Sequence, residues 1–210
     1  MYALIKREIR DHAVFFIGAV ILAASLIGLA VPALDNHRTM EAAAFGSGGG
    51  VIALVVVVLG LFAMGSVQMY TDKIRKISAF VSTLPVSRSR ILLAKICAGI
   101  LVLLTTLVPL AVAVAILLQI NAPPVPMYWA LARDVFAGVF LAGFACYCIG
   151  LQVGWNSGKV APALGGLGLT CILASLIVIK GFAPEIMIIL SLFIAASLIR
   201  TWHKFTSSSL

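Results

Sequence analysis

Seven acids and three histidines are all this chain offers for moving protons or holding a hard metal, and none lies within a long apolar run. Glu8, Asp11, Asp35, Glu41, Asp72, Asp134 and Glu185, with His12, His37 and His203, fall in polar stretches or at the ends of apolar ones. An ion-coupled carrier buries such a group inside a span, because that group binds the coupling ion. A membrane hydrolase needs a base or a metal cluster at the same depth. Neither chemistry is expected here. Cys97, Cys146, Cys148 and Cys171 sit within apolar runs, without zinc-ligand spacing or a nearby His, and read as small packing residues. The nearest approach to a phosphate-cradling loop is Gly154-Trp155-Asn156-Ser157-Gly158-Lys159-Val160. It has one residue too few between its glycines, and a valine where a hydroxyl should hold magnesium. The chain is therefore not expected to be an enzyme, to bind a cofactor or to hold a metal; any ATP hydrolysis would belong to another polypeptide.

The elements that would position these residues follow from composition. Of 210 residues, 62% are hydrophobic and 10% charged, where a soluble domain carries about a quarter charged. The mean hydropathy of +1.16 points to a surface that faces lipid. A hydrocarbon core about 30 Å thick takes about 20 apolar residues in a helix. Six runs qualify or nearly so: Ala13–Leu34, Val51–Met69, Ile96–Ile120, Val135–Trp155, Val160–Ile179 and Pro184–Ile199. The first five reach spanning length; the sixth is short, and reads as a tilted span, a re-entrant hairpin arm, or a span extended by Trp202. The first exceeds the 7–15 apolar residues of a cleaved signal and reads as a retained span. The expected fold is all-α and polytopic, with six transmembrane helices.

Charge sets the orientation. The formal net charge is +8, but no basic stripe interleaved with aromatics exists, so nucleic acid is not an expected partner. Counted from the N-terminal side, twelve bases share one face: Lys6, Arg7, Arg10, Lys73, Arg75, Lys76, Arg88, Arg90, Lys95, Lys159, Arg200 and Lys204. Only Arg38, Arg133 and Lys180 fall on the other. Positive residues stay cytoplasmic, so both termini are expected inside. The outer loops, Asp35–Gly50, Asn121–Asp134 and Lys180–Ala183, are too short for a soluble domain. Polar residues within the spans, such as Ser25, Thr105, Thr106, Gln119, Gln152, Thr170 and Ser175, read as helix-to-helix hydrogen bonding. Gly150 and Gly154, four apart, with Gly165, Gly166 and Gly168 in the next run, suggest that spans four and five pack together or against another copy.

One long cytoplasmic segment remains, from Gln68 to Lys95. Ile74, Ile77, Phe80, Val81 and Leu84 recur at helical spacing, with Arg75, Lys76, Ser78, Ser82 and Thr83 between them. Pro85 stops that amphipathic helix, and Ser87 can cap a new one carrying Arg88, Arg90 and Lys95 towards span three. Such a helix can rest on anionic headgroups or fill a groove on a cytoplasmic partner.

The stretch Asp72-Lys73, followed by Ser82-Thr83-Leu84-Pro85-Val86-Ser87-Arg88-Ser89-Arg90-Ile91-Leu92-Leu93-Ala94-Lys95, resembles the signature of type-two ABC transporter permeases. Leu4-Ile5-Lys6-Arg7-Glu8-Ile9-Arg10 is similar to that family's amphipathic N-terminal helix. Motif similarity covers about thirty residues, and compatible topology the rest. The resemblance implies a single transmembrane permease domain over residues 1–210, in a bacterial cell (inner) membrane. It implies a coupling helix between spans two and three that docks on a separate ABC-type ATPase subunit. Asp72, Leu84, Pro85, Arg88 and Arg90 match the motif and would lie at or beside that contact, and Ile74, Ile77, Phe80 and Val81 would supply its apolar face. It also implies a second permease copy, as a homo- or heterodimer, and export of a substrate. An apolar or amphipathic substrate suits the weakly charged lining.

The chain departs from the family twice. Many members place Gly-Thr where it has Lys76-Ile77, and many carry a longer outer segment with short helices where it has only Lys180–Ala183. Either that hairpin is minimal, or the fifth and sixth runs divide elsewhere. A different class of function, a non-transporting scaffold or sensor that recruits a regulator through the same segment, fits the amphipathic pattern as well.

Overall fold

The computed structural model describes residues 2–35, 49–74, 88–121, 126–155, 160–180 and 183–207, and among them it holds helices and no strand. Seven helices follow one another: α1 (Tyr2–Asp11), α2 (Ala13–Asp35), α3 (Gly49–Ile74), α4 (Arg88–Asn121), α5 (Pro126–Trp155), α6 (Val160–Lys180) and α7 (Pro184–Ser207).

Four stretches of the described residues are long and apolar enough to cross a bilayer: Leu54–Thr71, Ser89–Ile116, Trp129–Trp155 and Pro184–Lys204. A fifth joins them if α1 and α2, which meet at a 69° bend, count as one crossing. The apolar part of α6, Ala161–Ile177, is shorter. The helix of the fifth run, α6, is 21 residues long, Val160–Lys180, the spanning length expected of it. The sixth run, short when ended at Ile199, is extended past Trp202, one of the readings the sequence leaves open: α7 continues through Lys204 to Ser207. Lys and Arg near a helix end carry their charge to the interface on an apolar stem, so they prolong a span instead of ending it.

The division between runs five and six lies where the sequence put it. Ala183 is non-helical and its carbonyl accepts from the amides of Ile186 and Met187. Pro184 opens α7 at the first helical position, where its missing N–H costs nothing, and Glu185 meets the positive end of the helix dipole.

α5 is the hub, packed against α3, α4, α6 and α7, while α2 and α1 pack against α4. Contacts fix the directions. Leu61 lies by Gly143, Phe62 by Gly150 and Met69 by Gly154, so α3 and α5 run parallel. Leu103 lies by Gly143 and Tyr147 by Gly99, so α4 runs the opposite way. Gln152 bonds Ser197, one turn before the Arg200 and Lys204 that face Trp155, so α7 follows α5. The end of α3, the start of α4 and the ends of α5 and α7 therefore share one end of the bundle, and Glu8 of α1 joins them there.

The closest packing is between α3 and α5. A methyl group at Gly65 would meet the carbonyl oxygen of Tyr147, one at Gly150 that of Phe62, and one at Gly154 that of Ser66. Three backbone approaches this tight require glycine. Spans four and five do pack together, as α5 and α6, but Gly150 and Gly154 serve span two. Small residues mark a close approach without naming the partner. Gly166 does face α5, against Val153 and Ile149, but Gly165 and Gly168 meet nothing. The outward faces of α2, α6 and α7 carry Val14, Ile17, Leu164, Ile172, Ile188 and Leu192, all more than half exposed. An apolar belt of that kind belongs in lipid.

Candidate functional site

The chemistry of the described bundle concentrates at the shared end, where four helices bury a polar cluster. Lys95, on α4, is fully buried, as are Gln68 of α3 and Tyr147 of α5; Glu8 and His12 are nearly so. The Lys95 Nζ donates to both carboxylate oxygens of Glu8, at 3.2 and 3.3 Å, and to the Gln68 carbonyl at 3.4 Å. His12 Nε2 stands 3.6 Å from the same carboxylate, and Arg7 Nη2 lies 4.0 Å away at the cluster's exposed edge. One acid is thus ringed by three basic side chains.

Local sequence builds each position. Glu8 is on the buried face of α1, opposite exposed Lys6 and Arg10. The chain turns at His12, where the His12 amide bonds the Glu8 carbonyl and the Phe15 amide bonds that of His12, so α1 leaves α2 at an angle and lies across α4. Lys95 and Gly99 are four apart on α4, hence on one face. A methyl group at Gly99 would strike the Tyr147 ring, so the glycine makes room for that ring and the phenol reaches past it to the Lys95 carbonyl at 2.7 Å.

The phenol also lies 2.6 Å from Gln68 Oε1, and Gln68 Nε2 is buried without a hydrogen-bond partner. A phenol has one proton and cannot serve two acceptors. Turning the Gln68 carboxamide over gives a consistent chain: Nε2–H donates to the phenol oxygen, and the phenol donates to Lys95. The remaining orphan is then a carbonyl, which proteins tolerate more readily than a buried N–H.

The arrangement is a clamp. A buried ion pair is held in place by hydrogen bonds to its remaining groups, and removing either member would leave an uncompensated charge. Gln68 lies six residues before the end of α3, and Lys95 seven after the start of α4. The clamp thus ties together the roots of the two helices that flank residues 75–87.

Gln68 and Lys95, which the sequence sets at the two ends of the segment between spans two and three, are buried inside the bundle. Glu8 and Lys95 are at helix ends by sequence, yet buried by the packing of α1 on α4. Tyr147 is not singled out by the sequence, and Gln68 only as the start of the segment. The available signal was the four-residue spacing of Lys95 and Gly99, a base followed by a gap on one helical face.

Of the residues assigned to docking, Ile77, Phe80, Val81, Leu84 and Pro85 lie outside the described residues. Asp72 and Ile74 are in the last turn of α3, Arg88 is the first described residue of α4, Arg90 is exposed on its first turn, and the Ser87 cap lies outside the described residues. Cys146 and Cys148 are buried in the core, Cys97 is half-buried, and Cys171 is exposed. Gly154, the first glycine of the loop-like stretch, is committed to packing on α3. Among the described residues no three His, Cys, Asp or Glu side chains gather as a metal site.

No protein-family model matches the chain, nor does any curated protein or solved structure.

Proposed function

We propose that this chain is the membrane-spanning permease subunit of an ATP-driven exporter of the type-two ABC class, working with a separate ATPase subunit. One observation carries the reading: Leu84-Pro85-Val86-Ser87-Arg88 stands between two long apolar helices, α3 and α4. In this reading all six apolar helices cross a bacterial inner membrane and both termini are cytoplasmic. The twelve-to-three division of bases supports that orientation.

The buried clamp supports the mechanism. Two permease chains, identical or similar, form the path, and an ATPase subunit docks beneath each segment from Ile74 to Arg90. ATP binding draws the two segments together. Glu8, Gln68, Lys95 and Tyr147 join α1, α3, α4 and α5 at that end, so a push on the segment moves four helices as a unit. Buried polar groups transmit displacement because separating them leaves charges unpaired.

Purification from native membranes in mild detergent tests the reading. The chain should bring down a nucleotide-hydrolysing partner. Leu84→Asp or Arg88→Glu should abolish the partner's stimulated ATPase activity while the variant stays assembled in the membrane. Recovery of the chain alone under several gentle conditions overturns the proposal. Capture of a partner without nucleotide-binding ability favours a scaffold or sensor.

A further inference from the structure

A second polar feature, separate from the clamp, lies one turn nearer the end of the bundle. α3, α5 and α7 leave a cleft of about 30 Å³ between them, with Met69 and Leu151 at its apolar side. Its rim is Trp155, Arg200 and Lys204, and Gln152 and Thr201 complete the lining. None of these residues is acidic. Arg200 and Lys204 are four apart on α7 and so project from one face, and both are exposed.

Gln152 is already committed, donating to the Ser197 hydroxyl and carbonyl, and the Thr201 hydroxyl donates to the same carbonyl. The floor is thus satisfied and the rim is cationic. The volume admits roughly two or three oxygen-sized atoms, which suits the oxygens of a phosphate group but not a large polar solute.

The face that bears the two cations continues into the membrane as Ala196, Phe193 and Ile189, at steps of four, three and four residues from Arg200. Ile189 is 61% exposed, Ala196 is exposed and Phe193 half-buried. One helical stripe thus offers two positive charges at its end and an apolar track behind them. Trp155 and Trp202 stand at the same level, where indole rings favour the headgroup region.

From this juxtaposition we propose that the cleft between α3, α5 and α7 binds the headgroup phosphate of an anionic phospholipid, whose acyl chain lies along Ile189, Phe193 and Ala196. The site is independent of the assignment as a permease. Its cations complement the headgroup charge, and the apolar track separates a lipid from a free phosphate ion. Because Met69 follows Gln68 and Leu151 lies one turn beyond Tyr147, a lipid seated there braces the helices that hold the clamp.

Native mass spectrometry of the full chain, stripped of lipid in mild detergent, tests the site. Phosphatidylglycerol should stay bound at collision energies that remove phosphatidylcholine of the same chains. Arg200→Gln with Lys204→Gln should lower the retained phosphatidylglycerol about tenfold or more. Lys6→Gln with Arg10→Gln, which removes equal charge from the same end, should leave it unchanged. Equal loss in both variants, or equal retention of the two lipids, overturns the proposal. Competition by millimolar inorganic phosphate without lipid would show a phosphate-ion site and also overturn it.

A measurement on the native charges covers the case in which the first variant does not fold. With Trp129 and Trp202 replaced by Phe, emission from Trp155 should be quenched by brominated phosphatidylglycerol at mole fractions where brominated phosphatidylcholine has no effect. Equal quenching by both contradicts the assignment.

Discussion

α6 and the seam between α3 and α5 use the same small residue for opposite ends. Gly65, Gly150 and Gly154 bring two backbones together so closely that no side chain fits. Gly165 and Gly168 of α6 open onto nothing, flanked by exposed Leu164, Leu167 and Ile172. The seam leads directly to the buried clamp; α6 belongs to the lipid-facing surface. In a bilayer, apolar burial does not by itself drive helices together, because lipid is as apolar as leucine. What holds the seam is therefore close packing and the polar groups at its end; on α6 only Gly166 packs closely, and Gly165 and Gly168 contribute neither.

The difference can be broken at the clamp first. Lys95→Met takes the nearest cation from the buried Glu8 carboxylate, leaving it only His12 and the half-exposed Arg7, and should cost about 3 kcal/mol of stability, while Glu8→Leu combined with Lys95→Met should recover much of it. Unfolding in mixed micelles, read as a double-mutant cycle, measures both. A single variant as stable as the native chain would show that the pair is not buried.

Next comes the seam. Gly150→Leu forces a side chain onto the Phe62 carbonyl and should cost about 3 kcal/mol. Gly165→Leu, facing open space, should stay within about 0.5 kcal/mol of native. Equal losses at the two positions, measured by the same unfolding assay, would erase the distinction between them.

Tyr147→Phe is a smaller change. It removes the hydroxyl that links the Lys95 carbonyl to Gln68 and should cost about 1–2 kcal/mol. It should also speed hydrogen exchange around α4's first turns relative to α6. The smallest effect sharpens the contrast from the other side: Gly165→Ala should stabilise by up to about 1 kcal/mol, through helix propensity alone, whereas Gly154→Ala should destabilise.

What the sequence made legible was the part governed by composition. The six apolar runs became helices α2 to α7, and Pro184 marked a helix start where the structure has it. The choice of helix partner was not legible. Gly150 and Gly154 pointed to a close approach but could not distinguish span two from span five, because spacing along one helix carries no information about its neighbour. The clamp was hidden for a related reason. Lys95 and Glu8 look like ordinary interfacial charges until α1 folds across α4, and that fold depends on the turn at His12, with no proline or glycine to announce it.

The largest claim is that the residues between α3 and α4 grip a nucleotide-driven motor. A photo-crosslinking residue placed at Leu84 in native membranes tests it most directly, with Ile172 on the lipid-facing side of α6 as the reference. The account predicts a covalent adduct between Leu84 and a soluble nucleotide-hydrolysing protein, with lipid alone captured at Ile172. Lipid adducts at both positions, with no protein at Leu84, would contradict it.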